Sequence, residues 1–127
     1  MQRNSLIAVV DDDAGMCEAI AELLEVLGFE TAQFSSAESF LASSAADAFD
    51  CLVSDIRMPG MDGFELGRRI AMLAPELPVI FVSSIDDEHA RSMALRVGGV
   101  AFLRKPLDPD EFQRKIELAL GRAGGAS

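Results

Sequence analysis

The chain has 127 residues, half of them hydrophobic, and carries a formal net charge of −10. This length suits one domain with a single core, and the absence of a membrane-spanning apolar run or signal-peptide pattern predicts a soluble, cytoplasmic protein. The negative charge argues against direct binding to nucleic acid or to a membrane and favours a cation or a basic partner.

Five apolar runs alternate with five helical patterns along the chain. The predicted strands cover residues 6–10, 29–34, 49–55, 79–82 and 100–103. Cap signals precede the predicted helices: Asp13, the capping-box pattern of residues 35–38, Asp62 with Glu65, the acidic run 86–88, and Asp108 with Pro109 and Glu111. The alternation predicts an α/β fold with a five-stranded parallel sheet, doubly wound, with helices on both faces.

Helical periodicity indicates which residues the helices bury. In the third helix the buried stripe is predicted to hold Leu66, Ile70 and Leu73. Gly28 stands where a glycine often follows a helix, and residues 42–48 are expected to form a loose connection.

Cysteine and histidine are scarce in this chain. Cys17 and Cys51 are far apart and have no histidine or cysteine at metal-ligand spacing, so both are interpreted as small buried hydrophobes. His89, the only histidine, is expected to be solvated on the fourth helix.

Polar side chains follow four of the predicted strands. Three adjacent acids end the first strand, and because one acid is enough to cap the next helix, Asp11 and Asp12 need another explanation. Asp55 ends the third strand, Ser83 follows the fourth, and Lys105 follows the fifth. The carboxyl ends of parallel strands meet at one edge of a sheet, where ligands bind. We therefore expect these groups to meet, with Lys105 as the cation that reaches the acids.

This combination of groups favours metal-assisted phosphoryl chemistry. Two or three carboxylates are the oxygen ligands that Mg²⁺ takes, and a remaining carboxylate can act as a nucleophile toward a phosphoryl group. A lysine and a hydroxyl can spread the charge of the transferred oxygens. Asp55 is the best nucleophile because it stands alone at its strand end.

At these positions the sequence resembles the receiver domain of two-component response regulators. The motifs are Val10-Asp11-Asp12, Asp55 with Arg57-Met58-Pro59 and Asp62-Gly63, Ser83, and Lys105-Pro106. Each motif is weak alone, but their order and spacing cover nearly the whole chain. The resemblance implies the strand order 2-1-3-4-5, which the sequence alone does not give.

The resemblance also implies roles for the site residues. Asp55 would be the phosphoacceptor, and Asp11, Asp12, Asp55 and the backbone carbonyl of Arg57 would hold Mg²⁺. Lys105 and Ser83 would contact the phosphoryl group. The Lys105-Pro106 bond falls where the family often has a cis peptide.

The family's switch has counterparts here as well. Ser83 would move toward the phosphoryl group, and Phe102 on the fifth strand would turn inward, although an ordinary core role for this phenylalanine remains open. The switching surface would comprise the fourth helix, the fifth strand and the fifth helix, and it could also form a homodimer. Arg57 and Ile85 occupy positions thought to tune dephosphorylation.

Three other functions are weighed against this one. A pseudo-receiver would act as an interaction domain without phosphorylation. A Mg²⁺-dependent phosphohydrolase normally needs a second acid two residues after the nucleophile, where Arg57 stands. A flavin or nucleotide module would want a glycine-rich or hydroxyl-rich phosphate loop after the first strand, but residues 11–13 would repel phosphate.

The expected partners are a sensor histidine kinase or phosphotransfer protein and an output domain or partner protein. We assign residues 1–121 to the receiver domain and 122–127 to a flexible tail or linker stub. Apart from its own phosphorylation and slow dephosphorylation, the domain is not expected to be an enzyme. The Arg57-Met58-Pro59 and Arg104-Lys105-Pro106 contexts resemble receivers joined to helix-turn-helix DNA-binding domains, but the output itself is not readable from these residues.

Overall fold

A computed structural model describes residues 5–43, 46–84 and 88–121. In these ranges the strands are β1 (Leu6–Val10), β2 (Glu30–Phe34), β3 (Cys51–Asp55), β4 (Val79–Ser83) and β5 (Ala101–Arg104). The α-helices are α1 (Ala14–Val26), α2 (Ala37–Ala42), α3 (Gly63–Leu73), α4 (Glu88–Arg96) and α5 (Pro109–Ala119). The predicted tail, 122–127, lies outside the described residues.

The five strands form one parallel sheet in the order β2-β1-β3-β4-β5. The predicted fold class and the implied strand order are therefore confirmed. Apolar, β-branched runs suit such strands because helices cover both faces of a parallel sheet. All five residues of β3 and all five of β4 are buried.

The core consists of one layer on each face of the sheet. On one face α1 and α5 pack through Ile20, Leu24, Phe112 and Ile116. On the other face α2, α3 and α4 pack through Phe40, Leu66, Ile70 and Ala94. Cys17 and Cys51 belong to the first layer and are free thiols, as the sequence predicts.

Helix caps confirm most of the predicted helix starts. Asp13, Asp62 and Asp108 each accept a hydrogen bond from the backbone N–H three residues on. The capping box predicted for residues 35–38 is wrong by one position. Ser36 is the N-cap and accepts from Ser39 N, while Glu38 turns away to another partner. In the acidic run of the fourth helix, residues 86 and 87 lie outside the described ranges.

Two further expectations need correction. Leu73 was predicted to be buried but is 67% exposed, because α3 ends there and Leu77, in the following turn, fills the core instead. The connection 42–48 is more regular than predicted: α2 reaches Ala42, and residues Ala46–Ala48 form a 3₁₀ helix. Gly28 follows α1 with φ of +98°, the left-handed conformation expected of a glycine after a helix.

Candidate functional site

Strand pairing brings the predicted site residues to one edge of the sheet. Val10 lies beside Ser54, so Asp11, which follows β1, is next to Asp55 at the end of β3. Asp55 lies beside Val82, and Ser83 lies beside Arg104, the residue before Lys105. The sheet register thus places two acids, one hydroxyl and one lysine on neighbouring strand ends.

Three carboxylates form the acidic part of the site. Asp11, Asp12 and Asp55 each offer an oxygen within 4.8 Å of the others. Asp11 and Asp55 are buried, whereas Asp12 is exposed. Asp11 also accepts a 2.9 Å hydrogen bond from the backbone N–H of Asp13, which itself caps α1. The three adjacent acids therefore divide as predicted, with one in the helix cap and two in the cluster.

Lys105 is the cation of the site. Its Nζ lies 2.9 Å from Asp11 Oδ2 and 3.4 Å from Asp55 Oδ1, and the side chain is only 13% exposed. Its backbone N–H donates to the carbonyl of Ser83, and the Lys105-Pro106 peptide is cis, as the resemblance implies. The lysine thus bridges the two buried acids.

Burial and charge compete at this cluster. Burial raises the pKa of Asp55, the charge of Asp11 adds to the rise, and Lys105 opposes it. Burial tends to lower the pKa of Lys105, but the hydrogen bond to Asp11 and the charge of Asp55 outweigh burial and raise it. Burial therefore disfavours the ionised form of Asp55, and a further cation bound nearby would stabilise it.

The donor set fits a divalent cation. With the three carboxylates and Lys105 ionised, three negative charges and one positive charge leave two negative charges in excess. All three acids offer hard oxygen ligands, and the exposure of Asp12 opens the cluster to solvent. Mg²⁺ prefers such a site, in which it keeps several waters.

The loop after Asp55 is closely packed against the strand. Asp55 Oδ1 accepts from the backbone N–H of Ile56, and Gly63 N donates to the Ile56 carbonyl. A Cβ at Gly63 would collide with the backbone carbonyl of Asp55. Asp62 caps α3, so the residues of the Asp62-Gly63 motif fix where the helix begins beside the site.

Ser83 lies next to an open cleft beside the acids. This cleft, about 320 Å³ in volume, is lined by Arg57, Asp62, Phe64, Ser83 and His89 among others. Ser83 itself is buried, and His89 is exposed, as expected. The side chain of Arg57 is exposed as well. Ile85 lies outside the described residues.

Phe102 is buried in the layer formed with α2, α3 and α4. The guanidinium carbon of Arg91, on α4, lies 5.0 Å from the centre of its ring, a distance typical of a cation–π contact. The sequence does not predict this contact, nor that of Glu38, whose carboxylate accepts from Met61 N in the loop before α3. Neither pair is close in sequence, so no local pattern indicates it.

The thiols of Cys17 and Cys51 do not belong to the cluster of Asp11, Asp12 and Asp55. Burial raises the pKa of Cys17 and raises the pKa of Cys51 to about 12, so both thiols stay protonated at neutral pH.

No helix in the described ranges has the length and apolar character needed to cross a membrane.

Known proteins of one family match most of this chain. A family model described as the response regulator receiver domain matches residues 7–117. The transcriptional regulatory protein FixJ of Bradyrhizobium diazoefficiens is 36% identical over 121 residues, covering 95% of this chain and 59% of FixJ. The C4-dicarboxylate transport transcriptional regulatory protein DctD of Rhizobium meliloti is 39% identical over 113 residues, covering 89% of this chain and 25% of DctD.

A solved structure gives the same result. The response regulator receiver protein from Burkholderia phymatum superposes with a TM-score of 0.82 at 38% identity, covering 93% of this chain and 96% of that one. By contrast, the chain spans only between a quarter and about three fifths of the length of the two regulators above.

Proposed function

This chain belongs to the response regulator receiver domain family, and from that premise we propose that Asp55 accepts a phosphoryl group from a sensor histidine kinase or phosphotransfer protein. The observation that carries the proposal is the position of Lys105, whose ammonium lies between Asp11 and Asp55 at the edge of the sheet. A lysine held there can bind an anionic group that arrives at Asp55.

The proposed reaction is a phosphoryl transfer to a carboxylate. An oxygen of Asp55 attacks the phosphorus atom of the donor, a P–O bond to Asp55 forms, and the bond from phosphorus to the leaving group breaks. Burial raises the pKa of Asp55, which makes its ionised carboxylate more basic and a better nucleophile. A cation bound beside the acids would offset their negative charge and allow the anionic donor to approach. Lys105 and the hydroxyl of Ser83 then bind the oxygens of the transferred group.

Mg²⁺ is the proposed cofactor, held by Asp11, Asp12, Asp55 and the backbone carbonyl of Arg57. When bound, it offsets the negative charge of the acids and of the phosphoryl oxygens. The support is the oxygen donor set and its excess of two negative charges. Asp11 has the additional task of positioning Lys105, to which it is hydrogen-bonded at 2.9 Å.

Phosphorylation is proposed to change the surface of α4, β5 and α5. Phe102 belongs to β5, Ser83 ends the neighbouring strand β4, and Arg91 connects Phe102 to α4. Two elements of this surface carry an exposed large apolar side chain, Leu95 (63%) on α4 and Leu118 (59%) on α5, and Val100 (52%) directly precedes β5. These side chains suit a contact with an output domain, a partner protein or a second copy of the chain. We also propose that the reaction takes place in the cytoplasm, where response regulators usually act.

The direct test is incubation with acetyl phosphate, with and without Mg²⁺, followed by intact mass. We expect a phosphoryl adduct that requires Mg²⁺, is cleaved by hydroxylamine and is absent from Asp55→Asn. Asp12→Asn, which removes one proposed metal ligand but keeps the nucleophile, should need more Mg²⁺ for the same adduct. A wild-type protein that neither forms the adduct nor binds Mg²⁺ would instead be a pseudo-receiver that acts through constitutive contacts.

A further inference from the structure

The loop between β3 and α3, residues 56–62, is fastened at its two ends. Gly63 N donates to the carbonyl of Ile56, and Asp62 caps α3 by accepting from Glu65 N. The proposed metal ligand of the loop, the carbonyl of Arg57, lies between these two ends. The position of this carbonyl therefore depends on how the rest of the loop is held.

Glu38, on the first turn of α2, contacts this loop in its C-terminal half. Its Oε2 accepts a 2.9 Å hydrogen bond from the backbone N–H of Met61. That hydrogen bond is the main cause of the lowered pKa of Glu38. The contact joins residues 23 positions apart in sequence and is made by an otherwise exposed side chain.

Gly60 leaves room for this carboxylate because it has no side chain. Its φ is +76°, which favours glycine, and a Cβ at this position would lie 2.6 Å from Glu38 Oε2. Any larger residue would have to displace either the carboxylate or the loop. The close approach of Glu38 to two consecutive loop residues is thus a specific feature of this chain's packing.

The helix that carries Glu38 is itself well anchored. Phe40 is fully buried and makes an edge-on contact with Phe34, with the ring centres 5.1 Å apart. Ser36 caps the helix by accepting a 3.0 Å hydrogen bond from Ser39 N. A carboxylate on such a helix can hold the loop at a fixed distance from the sheet.

We infer that Glu38 is a positioning residue for the metal site: its bond to Met61 holds the loop so that Arg57 presents its carbonyl toward the acids. The inference rests on the proposed function, because it concerns the ligand set proposed for Mg²⁺. Loss of the bond should loosen the loop first and weaken metal binding as a consequence. The intrinsic reactivity of Asp55 should not change.

Glu38→Ala is the test variant, and Glu65→Ala is its matched control. Glu65 is a partly exposed carboxylate on the first turn of a helix, but its side chain binds Arg68 and Arg69 rather than the loop. Both variants remove one negative charge, so any general effect of charge on Mg²⁺ binding is common to them. Glu38→Gln is the conservative variant, since its amide oxygen can still accept from Met61 N.

Two of the measurements do not depend on phosphorylation. Amide hydrogen exchange without metal, followed by NMR, reports the Met61 N–H directly. Calorimetry reports the Mg²⁺ dissociation constant, which fluorescence of the native chain cannot readily give because the sequence has no tryptophan or tyrosine. Phosphoryl uptake at increasing Mg²⁺ then separates the metal requirement from the maximal rate.

In Glu38→Ala we expect faster exchange at Met61 and an Mg²⁺ dissociation constant raised about threefold to tenfold, below the 10- to 100-fold loss typical of residues that contact a ligand directly. The maximal rate at saturating Mg²⁺ should match wild type, and Glu38→Gln should recover part of the affinity. Equal Mg²⁺ affinity in Glu38→Ala and Glu65→Ala would overturn the inference. If wild type binds Mg²⁺ but takes up no phosphoryl group, the proposed function fails, while the comparison of affinities still decides the role of Glu38.

Discussion

At the scale of single residues, the ionisation of Asp55 should be visible in stability. Its folded-state pKa is raised from the ordinary value of 3.8, so the folded protein binds this proton more tightly than the unfolded chain does. The free energy of unfolding therefore falls as the pH rises from 3.8 to the raised value, and the loss is complete above it. At neutral pH the ionised carboxylate of Asp55 therefore lowers the free energy of unfolding of the metal-free protein.

We predict that Asp55→Asn is more stable than wild type in metal-free buffer at pH 7. The advantage should shrink in acid, as wild-type Asp55 takes up its proton. Urea unfolding of both proteins across this pH range measures the difference. A variant that is less stable than wild type at pH 7 would show that Lys105 more than compensates the burial of Asp55.

Lys105 should affect metal binding and phosphoryl uptake in opposite directions. Its ammonium occupies the space between Asp11 and Asp55, so it competes with Mg²⁺ for their charge. In Lys105→Met we predict Mg²⁺ binding that is tighter by roughly tenfold, a change of about 1.4 kcal/mol and well within the interaction of unit charges near a protein surface. Phosphoryl uptake at saturating Mg²⁺ should nevertheless fall.

The control for this variant is Lys115→Met, which removes the same charge from α5. It should leave both quantities near their wild-type values. If Lys105→Met weakened Mg²⁺ binding, the lysine would be supporting the arrangement of the acids rather than competing for them.

At the scale of secondary-structure elements, the packing of α3 on β3 depends on Gly63. A Cβ there would collide with the backbone of Asp55 and Ile56, which cannot move as a flexible side chain would. We predict that Gly63→Ala lowers the free energy of unfolding by about 1–3 kcal/mol, the usual cost of overpacking. The same variant should lower phosphoryl uptake, because α3 would shift relative to Asp55.

Gly15→Ala is the control, since Gly15 also lies in the first turn of a helix. A Cβ there would meet only Asp13 Oδ1, at an ordinary 3.5 Å. Alanine at this position should stabilise the protein by about 0.4–1 kcal/mol by restricting the unfolded chain. Thermal or urea unfolding of the pair measures both effects, and equal stability of the two variants would refute the proposed collision.

The elements also show what the sequence can and cannot predict. Strand ends and helix caps depend on residues that are close together in the chain, and so Asp11, Asp55 and the caps at Asp62 and Asp108 follow from local patterns. The burial of Leu73 was predicted wrongly because the helix ends at that residue, a boundary that periodicity does not mark.

Contacts between distant elements are harder to predict. Glu38 was interpreted as part of a capping box, but tertiary packing gives its carboxylate a donor on the loop before α3. The contact of Arg91 with Phe102 likewise depends on how α4 lies on β5. In contrast, the meeting of Lys105 with the acids was predictable, because all of these residues follow parallel strands.

At the scale of the whole molecule, the exposed apolar side chains of Leu95 on α4 and Leu118 on α5 suit an association of the phosphorylated protein with a second copy. We predict that phosphorylation roughly doubles the mass measured by light scattering, and that Leu95→Asp prevents this while leaving phosphoryl uptake intact. A charge placed in an apolar interface must be desolvated, which disfavours association.

Val26→Asp is the control for that experiment. Val26 is 83% exposed, more than the 63% of Leu95, but lies on α1, which is not one of the three elements of the proposed surface. It should leave association unchanged. If the phosphorylated wild-type protein stays monomeric, the prediction of self-association is wrong, and the surface would instead contact an output domain or a different partner.

Of the three clustered acids, we propose that Asp55, rather than Asp11 or Asp12, receives the phosphoryl group. The most direct measurement is borohydride reduction of the phosphorylated protein, which converts an acyl phosphate to an alcohol, followed by peptide mass spectrometry. We predict homoserine at position 55, dependent on both phosphodonor and Mg²⁺. Homoserine at position 11 or 12, with an unmodified Asp55, would contradict the assignment of Asp55 as the phosphoacceptor.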